Sequence, residues 1–124
     1  MIFGLDHVQL AMPRGGEDEA REFYVGVLGM TEIPKPEPLA SRGGVWFVAG
    51  AAHVHLGVDD AFVPAKKGHP ALLVDLPAIR KALTEAGVEV VEDESLDGVE
   101  RIYAHDPFGN RIEFIANGGG FSQG

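Results

Sequence analysis

The chain has 124 residues, 45% of them hydrophobic, no cysteine, and 19 acidic against 10 basic side chains, for a formal net charge of −9. That is enough apolar material for one folded domain and too much for a disordered chain. It excludes disulfides and thiolate metal ligands, disfavours nucleic acid or an anionic membrane as a partner, and offers no run of 18 apolar residues to cross a bilayer. An acidic, cysteine-free chain fits a reducing cytoplasm, and any metal must be held by histidine and carboxylate.

In chain order, the beginning, Met1 to His7, lacks a basic region followed by an apolar stretch, so it is expected to lead into a strand rather than to be a secretory signal. Leu5 to Ala11 alternates as a half-buried strand does. A loop with Pro13, Gly15 and Gly16 separates it from a helix expected over Glu17 to Leu28, with Ala20, Phe23, Tyr24, Val27 and Leu28 on one face and Gly29 at its end. A strand is needed at Thr31 to Ile33. A proline-bearing loop runs to Gly44, and strands are expected at Val45 to Ala49 and His53 to Val58. Asp59 to Gly68 reads as a connector, with Lys66 and Lys67 solvated. The grammar then restarts: a strand over His69 to Val74, a helix capped by Asp75 with Ile79, Ala82, Leu83 and Ala86 as its apolar stripe, and strands at Val88 to Glu92, Arg101 to Ala104 and Arg111 to Ile115. Asp106 to Asn110 forms the last turn. Asn117 to Gly124 is expected to be a flexible tail.

The order strand, helix, three strands thus occurs twice. The expected fold is α+β: paired βαβββ modules at about residues 3–58 and 69–116, forming one domain over 1–116, a curved mixed-sheet cup with helices on its outer face. His7 and His69 open the first strand of each half, and His55 and Glu113 lie in the last. Side chains alternate faces along a strand. His7 and Gln9 therefore oppose Val8 and Leu10, His53 and His55 oppose Val54 and Leu56, and Arg111 and Glu113 oppose Ile112 and Phe114. The polar sets are placed to line a shared concave face.

Three stretches carry a resemblance: Leu5-Asp6-His7-Val8-Gln9-Leu10, Phe23-Tyr24-Val25-Gly26-Val27-Leu28-Gly29-Met30, and Tyr103-Ala104-His105-Asp106-Pro107-Phe108-Gly109-Asn110-Arg111-Ile112-Glu113-Phe114. With the repeated element order, they make the chain similar to the vicinal-oxygen-chelate superfamily: glyoxalase I, extradiol dioxygenases, fosfomycin-resistance transferases and bleomycin-binding proteins. The resemblance implies a divalent metal ion (Zn, Ni, Mn, Co or Fe(II)) with His7, His69 and Glu113 as ligands and His55 as a fourth. That set leaves positions open for a substrate with adjacent oxygens. Glyoxalase-like members usually carry Glu where this chain has His55. His55 is thus open as ligand, outer-sphere donor or base, with His55 and Glu113 the catalytic candidates.

Gln9, Trp46, His53 and Arg111 are candidates to line a substrate pocket. Arg111 would either meet an anionic substrate or balance Glu113. For Trp46, Phe47 and Tyr103 packing is the default role, and His105 is expected at the surface. The function expected is a glyoxalase-like metal-dependent lyase or isomerase. The alternatives are a bleomycin-type drug- or metabolite-binding resistance protein, favoured by the negative charge but not by the retained ligands, and an Fe(II) extradiol dioxygenase, for which the chain is short. A homodimer is expected from the same resemblance.

Overall fold

The computed structural model describes residues 1–93 and 98–118. The chain is α+β and contains two βαβββ modules, each with a four-stranded mixed sheet. It divides into two compact units, Met1–Pro64 and Ala65 onward. None of the described helices is long and apolar enough to cross a membrane.

In the first unit, β1 (Val8–Met12) pairs parallel with β4 (Ala52–Val58), which pairs antiparallel with β3 (Val45–Ala49), and β3 in turn with β2 (Thr31–Ile33). The strand order β1-β4-β3-β2 places the chain's first and last strands of the module side by side at the centre and edge. Helix α1 (Glu17–Arg21) carries three acidic residues in its first turn, as its dipole favours. It continues not as α-helix to Leu28 but as a π-helical turn over Glu22–Val27. The amide of Leu28 reaches the carbonyl of Phe23, five residues back, at 2.9 Å. This wider turn sets Phe23 and Tyr24 edge to face at 5.0 Å, and Tyr24 stacks on Phe47 of β3 at 5.1 Å. Those rings, with Met12, Ala20, Val54 and Leu56, are the buried core of this unit. Gly29 closes the helix at φ 77°. At Gly44, with φ 87°, a Cβ would sit 2.2 Å from the Leu56 carbonyl oxygen, so only glycine fits where the loop joins β3.

The second unit repeats the plan with order β5-β8-β7-β6: β5 (Ala71–Val74) parallel to β8 (Arg111–Ala116), β8 antiparallel to β7 (Arg101–His105), and β7 to the two-residue β6 (Val91–Glu92). Helix α2 (Leu76–Glu85) is capped by the Asp75 carboxylate, which accepts from the Ala78 amide at 3.2 Å. Leu76 and Leu83 of α2 are buried, as are Ile102, Ala104, Ile112 and Phe114 on one sheet face. Ala86 falls outside the stripe: the helix ends at Glu85 and Ala86, its cap residue, is exposed. The Asp106 carboxylate seals the last turn, accepting from the amides of Phe108 and Asn110 at 2.9 and 2.8 Å and from the Asn110 side chain at 2.9 Å.

Several strand limits differ from expectation, each for a local reason. β1 begins at Val8 rather than Leu5, because its ladder with β4 starts at Val8↔Val54. β5 begins at Ala71 rather than His69, since Pro70 has no N–H to give a ladder. β6 keeps only Val91 and Glu92 of the stretch expected from Val88, those that face Tyr103 and Ile102. Of the expected tail, residues 119–124 lie outside the described residues.

Candidate functional site

The registers settle which side chains share a face. In the first unit Gln9 stands beside His55, His55 beside Trp46, and His53 beside Val48. One face therefore carries Gln9, Trp46, His53 and His55, while Val54, Leu56 and Phe47 on the other are buried. In the second unit Glu113 lies between Ala71 and Tyr103, and Arg111 opposite His105. His69, Arg101, Tyr103, Arg111 and Glu113 share the face away from Ile112 and Phe114.

In the second unit the Glu113 amide donates to the Pro70 carbonyl at 3.0 Å, which docks the segment before β5 against β8. His69 Nε2 thereby comes within 2.9 Å of Glu113 Oε1. The other ring nitrogen, Nδ1, lies 2.8 Å from the Lys67 carbonyl oxygen, an acceptor only, so Nδ1 must carry its proton. Nε2 of a neutral ring with that tautomer is a bare lone pair, and it faces a carboxylate. The contact closes only with a cation between them, either a proton or a metal ion. Two ligands each about 2.1 Å from an ion and at right angles stand about 3 Å apart, the separation found here.

Glu113 is 5% exposed, and its second oxygen accepts from Arg101 Nη1 at 3.1 Å. Arg101 also donates to the Tyr103 hydroxyl at 2.7 Å and pairs with Asp93 at 2.9 Å. Its pKa is pushed up, first by the hydrogen bond to Glu113. Arg101 thus balances and orients Glu113 from behind, a duty open to Arg111 in the sequence. Arg111 instead lies over the Tyr103 ring, 3.9 Å from its centre, and pairs with no carboxylate among the described residues. Tyr103 is enclosed by Arg111 and, edge-on at 5.4 Å, His69.

In the first unit His55, 6% exposed, is sandwiched between Trp46 (3.8 Å, 5° between planes) and His7 (4.1 Å, 17°). Burial, then the nearby His7 and His53, hold its pKa below the usual imidazole value. A neutral ring suits both a ligand and a base. The lone pairs of near-parallel stacked rings run side by side, however, so His7 and His55 do not converge on one ion in this arrangement. His7 has its Nδ1 bonded to Asp6 at 2.8 Å, which leaves Nε2 free and matches the carboxylate–histidine arrangement that steadies metal ligands. The same bond keeps the Asp6 carboxyl below its ordinary range. Gln9 reaches across Gly57, where a Cβ would lie 2.6 Å from its amide nitrogen. His53 is half-buried and His105 exposed.

By itself, neither unit gathers three His, Asp or Glu side chains around one point among the described residues. The second unit supplies one pair, His69–Glu113, whose donor chemistry fits a divalent ion. Sequence reading missed Arg101 and Asp6. Both had a signal: Arg101 has the strand parity of Tyr103, and Asp6 adjoins His7.

The profile of the Glyoxalase/Bleomycin resistance protein/Dioxygenase superfamily matches residues 4–114, and the chain belongs to that superfamily. It is similar to a solved structure of a glyoxalase family protein from Bacillus anthracis, with 50% identity, a TM-score of 0.90, and coverage of 94% of this chain and 97% of that one. The fold is shared with the fosfomycin resistance protein FosX of Listeria monocytogenes (19% identity, 94% and 95% covered, TM-score 0.75) and with oxidase ChaP-H2 (20%, 97% and 100%, 0.71). None of the curated proteins matches the chain.

Proposed function

We propose that the protein is a metal-dependent, glyoxalase-like enzyme of the lyase or isomerase type, acting as a homodimer on a small substrate with adjacent oxygens. The observation that carries this reading is the His69–Glu113 pair. With Nδ1 committed to the Lys67 carbonyl, Nε2 faces Glu113 at the separation two ligands of one ion adopt. His69 and Glu113 are the ligands this reading assigns, and His7, with its free Nε2, is its third ligand candidate. Membership of a superfamily that generally uses divalent metals supports the assignment.

A divalent ion there would supply charge to stabilise an oxyanion on a substrate with vicinal oxygens. The chain's own residues do the rest. Arg101 holds Glu113 in one orientation. His55, buried between two rings and kept neutral, is the base that takes a proton from the substrate. Its stacked position favours that role over a ligand role. Trp46 and Gln9 line the approach on the same face as His55.

The test is metal content by native mass spectrometry on untagged protein, followed by titration with Ni, Zn, Mn, Co and Fe(II). Stoichiometric uptake that disappears on chelation is expected. A protein that takes up none of the five at micromolar concentration ends the metalloenzyme reading. If metal is bound but bleomycin also titrates tightly and no 2-oxoaldehyde hemithioacetal or related substrate turns over, the chain is a binding protein instead.

A further inference from the structure

The excess of acid side chains makes the placement of the cations informative. Five of the ten Lys and Arg side chains sit in ion pairs, and Lys66 and Lys67 are exposed on the connector. The remaining three, Lys35, Arg42 and Arg111, pair with no carboxylate among the described residues, although the chain has 19 to offer. Two of those three, Lys35 and Arg42, border one cavity of about 180 Å³.

That cavity lies wholly in the first unit, between the 34–44 loop and the strand face that carries the candidate base. Gln9, Trp46 and the backbone around Gly57 form its other walls. Lys35 is half-buried, and its ammonium donates to the Gly43 carbonyl, which points it along the cavity without neutralising it. Lys35 is also near enough to His55 for its charge to act on that ring. Lys35 stands half-buried beside an indole and an imidazole and forms no ion pair with a described carboxylate, the nearby Glu17 carboxylate accepting instead from the Gly44 amide at 2.9 Å, so a compact anion in the cavity would meet an ammonium charge. A carboxamide, an indole face and two cations around a small hollow are the elements that recognise a compact acid.

We propose that this cavity is an anion subsite, and that the substrate carries a carboxylate or phosphonate group which Lys35 and Arg42 bind while Gln9 donates a hydrogen bond and Trp46 covers one side. The assignment of this group to a substrate rests on the enzymatic reading above, but the subsite itself needs no metal.

Trp46 is the chain's single tryptophan, so its emission reports on the cavity directly. The full-length protein, kept in EDTA, is titrated with benzoate, with phenylphosphonate, and with benzamide, the neutral match of benzoate in shape. Benzoate or phenylphosphonate should change the emission saturably, with benzamide at least about tenfold weaker, and added salt should weaken the acids alone. Lys35→Met and Arg42→Ala should each weaken the acids severalfold and leave benzamide unchanged. Arg42 is exposed, so its variant tests the subsite even if Lys35→Met folds poorly. Equal binding of benzoate and benzamide, no saturable response to either acid, or acid binding indifferent to Arg42→Ala would overturn the proposal. Because the titration is done without metal, its failure leaves the metal reading standing, and loss of the metal reading leaves this result standing.

Discussion

His69 Nε2 and Glu113 Oε1 face each other at 2.9 Å, a separation that a proton or a metal ion between them closes. One backbone contact, the Lys67 carbonyl on Nδ1, creates this condition by fixing the tautomer. The pair thereby brings two donor atoms suited to one positive charge together from residues 44 positions apart. Arg101 on the far oxygen keeps Glu113 from rotating away.

Replacing Glu113 by Gln keeps the shape and removes the charge. Metal affinity should fall by well over tenfold, since an anionic ligand is lost outright. Arg101→Met leaves both ligands in place and should lower affinity by roughly 10- to 100-fold through loss of orientation, the range seen when outer-sphere partners are removed. Glu113→Ala should also destabilise the fold by about 2–3 kcal/mol, below the range for breaking a fully buried pair because Asp93 still faces Arg101. Calorimetric titration with Ni or Zn reads the affinities, and chemical denaturation reads the stability. Unchanged affinity in Glu113→Gln would remove Glu113 from the metal site.

Much of this was legible beforehand. Strand parity alone put Gln9, His53 and His55 on one face and Arg111 and Glu113 on another, because period-two alternation with apolar Val54, Leu56, Ile112 and Phe114 leaves no second register. The Asp75 cap and the Asp106–Asn110 turn followed from local chemistry. What was not legible depended on pairing at a distance. That Arg101 rather than Arg111 serves Glu113 follows from the β7–β8 ladder, where Tyr103 opposes Glu113. That His55 is clasped by two rings follows from β3, β4 and the segment before β1 meeting. The π-helical turn at Glu22–Val27 leaves no mark in an amphipathic pattern that fits an α-helix equally well. The cation-lined cavity could not be anticipated either, because the 34–44 loop has no periodicity to read.

His55 gives the protein a pH dependence with a definite sign. Its folded pKa lies below the ordinary 6.5, first because burial penalises the charged ring. Between the folded and the ordinary value the unfolded chain binds more protons than the folded one. Stability therefore rises with pH through this window. The contribution of His55 is complete above about 6.5 and is lost as acidification proceeds toward the lowered folded value. Melting temperature should fall between pH 7 and pH 5, less steeply in His55→Gln. Trp46, stacked on the ring at 3.8 Å, should report the same protonation as quenching with a midpoint below 6.5. A midpoint above 6.5 would show that burial does not govern this ring.

The start of the chain supports the proposed dimer. Met1, Ile2, Phe3 and Leu5 are at least 81% exposed, and no strand of the described residues pairs with residues 1–7. Four large apolar side chains within five residues are an unusual thing to leave in water, where burying each would return about 1.5–3 kcal/mol. A second copy of the chain is the partner proposed to cover them. Light scattering should give twice the 13.2 kDa of one chain. The double change Ile2→Asp and Phe3→Asp should shift the mass to that of one chain while far-UV circular dichroism stays the same, since neither side chain belongs to the buried core. A wild-type protein of 13.2 kDa would rule out the dimer. A dimer that survives the double change would place the interface elsewhere on the chain.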